Sequence, residues 1–317
     1  MRRLLLICLL ATCAGAPATA HAQLAVGIGD QKADMFSDPR FLSLGLTHAR
    51  RAVAWDALDV RYQTADIAGW LRAARAAGVS PLISFDHSRR NGRHRVLPTA
   101  KQFRHQFARF HARYPWVRDY ATWNEANYCG EITCHHPELV AAYYHAMRSV
   151  CPHCRILGAE LLDVPGMLAW ERKFVHAARV SPHYWGLHNY VGANRFSTAT
   201  TRQLLRATHG EVWFTEIAGL VARRNRRAVH FPQSAAHAAL VTRFIFSKLV
   251  RLSPRVTRVY LYQWDTRTRL DSWDSALIGL DGSARPAYAV LQQILTALAA
   301  AAQPSSGSSA ASRVATR

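Results

Sequence analysis

Acidic residues are scarce in this chain of 317 residues. Only 20 aspartates and glutamates stand against 40 lysines and arginines, and arginine supplies most of the formal charge of +20. Such a charge favours anionic surroundings, such as acidic wall polymers, uronate-bearing polysaccharides or nucleic acid. However, no arginine stripe interleaves with exposed aromatics, as it would in a nucleic-acid groove. We expect no nucleic-acid partner. Electrostatic association with anionic wall polymers is one interpretation of the charge, and the favoured alternative is that arginines scattered over most of the helices do not mark a partner.

Long hydrophobic runs are also missing. The apolar run Leu4 to Ala11 follows Arg2 and Arg3 and is much shorter than the roughly 20 residues that span a bilayer. It precedes Ala20-His21-Ala22, a pattern typical of a signal-peptide cleavage site. We therefore predict that residues 1–22 form a secretory signal, with an uncleaved anchor as the alternative. The mature chain is expected to be secreted and free of the membrane.

Two motifs that define other enzyme classes are absent. The first apolar run, 24–29, leads into GIGDQKADMF, which lacks the third glycine of a dinucleotide-binding loop. The same segment has no His-x-His pair, which metal-dependent barrel hydrolases often carry on their first strand. We expect neither a cofactor nor a metal.

Cysteines are few, and two of them lie within the predicted signal. The spacings Cys129-x4-Cys134 and Cys151-x2-Cys154 could suit zinc, but export to an oxidising compartment favours disulfides. A helix predicted over residues 137–151 would be about 22 Å long and would separate the two pairs. We therefore predict the disulfides Cys129–Cys134 and Cys151–Cys154.

What the chain does contain is a regular alternation of two patterns. Nearly continuous apolar runs are typical of buried strands, and apolar residues at three- and four-residue steps are typical of helices. The predicted strands are 24–29, 48–55, 80–86, 118–124, 155–162, 183–190, 211–216 and 258–264. The predicted helices include 65–78, 99–114, 137–150, 234–250 and 284–300.

Eight strand–helix units in about 270 residues match a closed parallel barrel better than an open sheet. We predict one α/β domain over residues 23–302, a single (β/α)8 TIM barrel, and expect it to be a monomer. Residues 303–317 are rich in serine and alanine and are predicted to be a disordered tail.

In such a barrel the chemistry lies at the carboxyl ends of the strands. Glu125 ends the motif Trp123-Asn124-Glu125 after the fourth strand, and Glu216 ends the seventh. Packing alone would not favour a glutamate at either position. Hydrolysis of a glycosidic bond needs two carboxyl groups, one to protonate the departing oxygen and one to attack the sugar or activate water. Strands four and seven face each other across the mouth, so these glutamates are the candidate pair.

The motifs resemble those of clan A glycoside hydrolases, in strand order over nearly all of residues 24–300. WNEAN is similar to the clan's acid/base motif, VWFTEIAG to its nucleophile strand, LHNY to its sixth-strand His-x-Tyr and LYQWD to its eighth-strand tryptophan. The local sequence is closest to the xylosidase/iduronidase-like and cellulase-like branches. Ala126 stands where many members have proline, which leaves the family open but keeps the carboxylate in place.

The resemblance implies a retaining enzyme in which Glu125 is the general acid/base and Glu216 the nucleophile. Asn124 would hydrogen-bond the substrate 2-hydroxyl, a contact that strengthens in the transition state. Tyr190 would hold an oxygen of the nucleophile. The sugar, the linkage and the choice between internal and terminal cleavage stay open.

The resemblance also implies three further site residues. His188 would line the pocket, and Trp264 would form an apolar floor beneath the sugar ring. Arg50 would lie beside Glu216 and keep it ionised, with Arg51 as the competing choice because strand alternation does not show which of the two points inward.

A noncatalytic alternative shares the same fold. A carbohydrate- or wall-binding protein could use a TIM barrel as a scaffold, because fold does not determine function. The arginine-rich stretch 217–235 could bind acidic substituents or be a solvated surface. Asp86 and His87 are expected at the pocket rim, and Asp265 is expected to pair with a nearby arginine.

Overall fold

The computed structural model describes residues 24–224, 230–268 and 272–302. The predicted signal peptide, the predicted tail and part of the arginine-rich stretch lie outside the described residues. Within the described ranges, no helix combines the length and hydrophobicity needed to cross a bilayer.

Eight parallel strands close into a barrel, which confirms the predicted fold. Each strand pairs with the next, and the last pairs with the first. The strands are β1 (Ala25–Gly29), β2 (His48–Ala54), β3 (Ser80–Asp86), β4 (Asp119–Ala121), β5 (Arg155–Leu162), β6 (Tyr184–His188), β7 (Glu211–Ile217) and β8 (Val256–Tyr262).

Helices cover the outside of this barrel. They are α1 (Pro39–Ser43), α2 (Arg61–Ala76), α3 (Ala100–Arg113), α4 (Pro137–Val150), α5 (Met167–Ala178), α6 (Tyr190–Asn194), α7 (Ala199–Ala207), α8 (Ala235–Phe244) and α9 (Pro286–Ala302). Short 3-10 turns occupy Asp34–Ser37 and Ala57–Asp59, and α8 continues through a π turn at Ile245–Leu249 and a 3-10 turn at Val250–Leu252.

Helix α3 shows how the sequence produces this packing. Thr99 and Gln102 form a reciprocal capping box that starts the helix. Phe103, Phe107 and Phe110 follow at helical spacing, and their rings lie 5.6 to 5.9 Å from the ring of Phe85 in β3. These edge-to-face contacts hold the helix on the sheet through apolar burial and ring geometry.

The amino-terminal end of the barrel interior is closed by packed side chains. Asp119 accepts a hydrogen bond from Arg258 at 2.5 Å, and the Arg258 guanidinium carbon lies 3.8 Å from the Trp213 ring centroid. Tyr260 is fully buried in the same layer. Because this end is filled, the open end lies at the carboxyl ends of the strands.

The predicted disulfides are both confirmed, with Cα–Cα distances of 4.9 Å for Cys129–Cys134 and 5.4 Å for Cys151–Cys154. The second lies between α4 and the start of β5, at the closed end of the barrel. The first closes a loop shortly after Glu125, at the open end. Ala222–Arg223 pairs with Trp273–Asp274 in a two-stranded antiparallel ribbon, which joins the segment after β7 to the segment after β8.

Replacing Gly186 in β6 tests how tightly the barrel interior is packed. A Cβ at this position would lie 2.6 Å from Cγ of Glu160 and 2.8 Å from Oγ1 of Thr215. We expect Gly186→Ala to lower the free energy of unfolding by about 1–3 kcal/mol. Gly69→Ala in α2, where a Cβ meets no atom within 4 Å, is the control and should gain up to about 1 kcal/mol. Urea unfolding measures both, and equal midpoints would contradict the packing argument.

Candidate active site

A cavity of about 300 Å³ opens at the barrel mouth. Its walls come from the ends of β5, β7 and β8 and from the segments that follow β4, β5, β6, β7 and β8. The charged and polar members of the lining are Glu125, Tyr190, Glu216 and Arg223, and the others are Tyr128, Leu162, Val164, Val191, Phe231, Tyr262 and Trp273. A concave, mainly apolar pocket with a few convergent polar groups is the usual form of a small-molecule site.

The two predicted glutamates meet in this cavity. One carboxylate oxygen of Glu125, one of Glu216 and a ring nitrogen of His188 all lie within 4.8 Å of one another. Both carboxylates keep some contact with solvent, at 21% and 16% side-chain exposure for Glu125 and Glu216 respectively. The limit of 4.8 Å applies to one oxygen of each carboxyl group, and it is compatible with the separation of about 5–5.5 Å at which one carboxylate can attack while the other group donates a proton.

The backbone around Glu125 is held in an uncommon conformation. Its φ of 45° lies in the left-handed region, which costs free energy for a residue other than glycine. Three hydrogen bonds fix this turn: the Asn124 amide donates to the Phe85 carbonyl at 2.7 Å, the Ala126 amide to the Glu160 carbonyl at 2.9 Å, and the Tyr128 amide to the Glu125 carbonyl at 2.8 Å. The side chain of Glu125 is therefore directed by β3 and β5 as well as by its own strand.

Arg50 lies at the centre of the site and is fully buried. Its guanidinium donates to both carboxylate oxygens of Glu160, at 2.7 and 2.5 Å, to Glu216 at 2.7 Å and to the side-chain oxygen of Asn124 at 2.6 Å. Arg51 faces outward, where it pairs with Asp66 of α2. Arg50, and not Arg51, therefore belongs to the site.

Glu160 of β5 is a functional residue that the sequence reasoning missed. It is fully buried, accepts from Arg50 and also accepts a hydrogen bond from Ser84. Burial alone would raise the pKa of Glu160, but the charge and hydrogen bonds of Arg50, together with His188, hold that pKa well below its usual range. The available signal was a lone glutamate inside the apolar run RILGAELL.

His188 lies between Glu125 and the buried pair of Arg50 and Glu160. Its Nδ1 lies 3.1 Å from Glu125, and its Nε2 lies 3.6 Å from Glu160. Burial would lower the pKa of His188, but the charge of Glu216 and hydrogen bonds to Glu125 and Glu160 raise it to about 9. The imidazolium therefore donates to Glu125, and its 3.3 Å approach to Arg50 is a contact between two donors.

Tyr190 reaches the other carboxylate. Its hydroxyl donates to Glu216 at 3.0 Å. Asp163 fixes the start of α6, which carries this tyrosine, by accepting from the backbone amides of Val191 at 2.9 Å and Gly192 at 2.5 Å. Burial raises the pKa of Asp163 to about 7 although both amides act in the opposite direction. Glu216 is thus held between Arg50 on one oxygen and Tyr190 on the other.

The structure does not place Trp264 in the cavity. This side chain is only 2% exposed, donates through Nε1 to Asp38 at 3.2 Å and packs on Phe41 with ring centroids 5.5 Å apart. The aromatic walls come instead from Tyr262 and from Trp273, whose ring centroid lies 4.7 Å from that of Tyr190. The prediction that Trp264 lies beneath a bound sugar is therefore not supported, because the chain after β8 directs the Trp264 ring toward α1.

The remaining polar residues have structural partners. Asp86 pairs with Arg89, and His87 pairs with Glu131 of the disulfide loop, so neither lines the cavity. Asp265 pairs with Arg267 at 3.2 Å, in line with the expected arginine partner, and also with Lys32 at 2.9 Å.

Glu125, His188 and Glu216 are donor types that could bind a divalent cation. The surrounding charges oppose this. The Arg50 guanidinium lies 2.7 Å from a Glu216 oxygen and 3.3 Å from Nε2 of His188, so a cation already lies beside two of the three groups. The geometry suits a proton-transfer site better than a metal site.

No protein-family model matches the chain, and no curated protein matches it. Solved structures do match, at low sequence identity. A family 39 glycoside hydrolase from Bacteroides cellulosilyticus is 15% identical with a TM-score of 0.57, over 89% of this chain and 66% of that chain. Xylanase 10B from Thermotoga petrophila is 9% identical with a TM-score of 0.62, over 87% and 95%. The endo-1,4-beta-xylanase XylE from Penicillium canescens is 13% identical with a TM-score of 0.64, over 87% and 95%.

At these identities the likeness shows the fold alone. This chain spans about two thirds of the family 39 enzyme and nearly all of the length of the two xylanases. The predicted resemblance to clan A glycoside hydrolases is confirmed at the level of the barrel.

The raised pKa of His188 predicts a pH dependence of stability. A histidine whose folded-state pKa of about 9 exceeds its unfolded value of about 6.5 contributes stability that is complete below pH 6.5 and is lost as the pH rises through 9. Relative to His188→Gln, the wild-type chain should lose up to about 3 kcal/mol over this window. Urea unfolding at pH 6, 7.5 and 9 measures the difference. A difference that stays constant across these pH values would show that His188 is neutral in the folded protein.

Proposed function

We propose that the chain is a secreted, retaining glycoside hydrolase that cleaves O-glycosidic bonds of a poly- or oligosaccharide. The observation that carries this proposal is the meeting of Glu125 and Glu216, within 4.8 Å, in an aromatic-walled cavity at the barrel mouth. The barrel likeness to solved glycoside hydrolases supports it further.

In the first step, Glu216 attacks the anomeric carbon while Glu125 gives its proton to the departing glycosidic oxygen. The bond from carbon to the leaving group breaks as the bond to the Glu216 oxygen forms, which leaves a glycosyl ester. In the second step, Glu125 takes a proton from water, and the hydroxide attacks the same carbon and releases Glu216. Two displacements at one carbon retain its configuration.

The charge network suits these two roles. Arg50 and His188, whose pKa is raised to about 9, supply positive charge among the carboxyl groups of Glu125, Glu160 and Glu216. Arg50 donates to the proposed nucleophile Glu216 at 2.7 Å, and His188 contacts the proposed proton donor Glu125 at 3.1 Å. The two carboxyl groups therefore have different neighbours, as their different roles require.

The cavity wall indicates how a sugar could be bound. Trp273 and Tyr190 present aromatic surface next to the proposed nucleophile, Glu216. The apolar face of a sugar ring can pack against such side chains. Asn124, held by Arg50 at 2.6 Å, stays the proposed partner of the 2-hydroxyl. Solved structures that match the chain include xylanases, a galactanase and a mannosidase, so pentose and hexose polymers are the first substrates to try.

The alternative is a noncatalytic carbohydrate- or wall-binding protein. The excess of arginine in the chain and the placement of Arg223 in the cavity wall favour anionic polymers as its ligand. A binder of this kind would retain polysaccharide without turnover, whereas the proposed enzyme releases new reducing ends.

Replacement of the two glutamates tests the enzyme. Wild type is first assayed on 4-nitrophenyl and 2,4-dinitrophenyl glycosides of xylose, galactose, glucose and mannose, and on the matching polysaccharides. We expect Glu125→Gln to slow polysaccharide cleavage by about 10²–10⁴-fold, and to slow the dinitrophenyl glycoside least because that leaving group needs no proton. Glu216→Gln should abolish cleavage of both. Glu138→Gln, an exposed residue of α4, is the matched control and should not change either rate.

Added azide distinguishes the proposed acid/base, Glu125, from the proposed nucleophile, Glu216. With Glu125→Ala, azide should restore turnover and give a glycosyl azide of retained configuration, whereas with Glu216→Ala it should give the inverted product. Equal losses on activated and unactivated glycosides, or the same product from both variants, would count against these assignments.

Export is the second part of the proposal. The two disulfides support it, because disulfides persist mainly in oxidising compartments. When the full chain is expressed in a secreting bacterium, we expect mass spectrometry of the exported protein to show Gln23 as the first residue. A cell-associated chain that keeps residues 1–22 would contradict cleavage of the signal.

A further inference from the structure

Tyr128 is an exposed aromatic residue at the edge of the catalytic cavity. It is 42% exposed and lines the cavity together with Glu125, which precedes it by three residues. Among the large apolar side chains that are exposed in the described ranges, it alone belongs to this wall. A single exposed ring is common on protein surfaces, and what distinguishes Tyr128 is its place in the cavity wall beside Glu125.

The turn that carries Tyr128 is held by the end of β5 and by the loop that follows it. The Asn127 side chain donates to the Leu162 carbonyl at 2.9 Å and accepts from the Leu162 amide at 2.7 Å, which ties the turn to the end of β5. Thr133 donates to the Ala126 carbonyl at 3.0 Å, and that bond is buried. The ring is therefore presented by an ordered backbone.

The disulfide loop adds a second constraint. Cys129 and Cys134 close the loop immediately after Tyr128, and Glu131 within it lies 3.1 Å from the His87 ring nitrogen. The ring of Tyr128 lies against Gly130, where an added Cβ would come within 2.2 Å of a ring carbon. A glycine at that position leaves room for the ring, so loop and ring form one preorganised unit.

The position of this unit relative to the two carboxyl groups defines what it can contact. A general acid lies beside the oxygen of the departing group, so residues next to Glu125 contact the leaving-group sugar. Tyr190 and Trp273 lie instead on the side of Glu216, where the sugar that becomes esterified is held. Leu162 and Val164, at the end of β5 and just beyond it, complete the wall on the Tyr128 side.

We propose that Tyr128 is a specificity-determining platform on which the leaving-group sugar stacks. This inference rests on the proposed hydrolase function and adds to it a separate binding position for the departing sugar. The platform stabilises substrates in which the group that leaves is itself a sugar ring, and it contributes nothing to substrates whose leaving group is a single atom. The chain is then selective for oligosaccharides over simple glycosides.

Comparing leaving groups of different size tests this proposal. The substrates are the glycosyl fluorides of xylose, galactose, glucose and mannose in both anomeric forms, and the trisaccharide of whichever sugar the wild type cleaves. We expect Tyr128→Ala to lower kcat/KM for the trisaccharide about tenfold, and at least fivefold more than for the fluoride. Tyr128→Phe keeps the ring face and should recover most of the lost rate. Tyr62→Ala, an exposed tyrosine in α2 that does not line the cavity, is the matched control.

Each other outcome is decisive. The methyl glycoside of the same sugar separates the platform from a positioning role, because its leaving group needs a proton but carries no sugar ring. A loss on the methyl glycoside as large as that on the trisaccharide would mean that Tyr128 acts by positioning Glu125 and would overturn the platform. Equal losses on fluoride and trisaccharide, or no loss on either, would also overturn it. A wild-type chain that cleaves none of the fluorides, aryl glycosides, oligosaccharides and polysaccharides would instead overturn the proposed function.

Discussion

The buried ion pair between Arg50 and Glu160 is the interaction on which the site depends. Burying two charges costs free energy that is recovered only when geometry and hydrogen bonding are good, and here the guanidinium binds both carboxylate oxygens. The same guanidinium orients Glu216 and Asn124. One buried cation from β2 thus gathers groups from β5, from β7 and from the segment after β4. Removing its partner on β5 would leave this cation with Glu216 as its only carboxylate partner among the described residues.

The barrel makes this possible because its two ends differ. Aromatic rings and the Arg258–Asp119 pair fill the amino-terminal end, while the carboxyl end combines a charged network with an aromatic wall. The charge network lies mainly on the strands, and most of the cavity wall lies on the segments that follow them. In the proposed enzyme, the catalytic groups are therefore held by the barrel, whereas much of the wall belongs to segments that can vary without disturbing it.

Much of the fold and part of the candidate site could be predicted from the sequence. The signals were repeating apolar patterns and acidic residues at the ends of strands. Apolar runs of strand length located all eight strands, and glutamates at two strand ends located the candidate acid and nucleophile. The partner of a buried charge could not be predicted, since Glu160 lies inside an apolar run with nothing nearby in sequence to show that Arg50 faces it. Trp264 and Trp273 could not be separated either, because the direction of a ring beyond a strand end depends on how the chain leaves the strand.

The two cross-links are both very short in sequence, spanning separations of 5 and 3 residues. Closing so short a loop removes less conformational entropy from the unfolded chain than closing a long loop would. Each bond therefore contributes less to the stability of the barrel than a long-range disulfide would. Reduction would therefore act first on the turn beside Glu125, the proposed proton donor, and less on the barrel as a whole. In the proposed enzyme, the redox state of the surroundings would be felt mainly as a change in substrate preference.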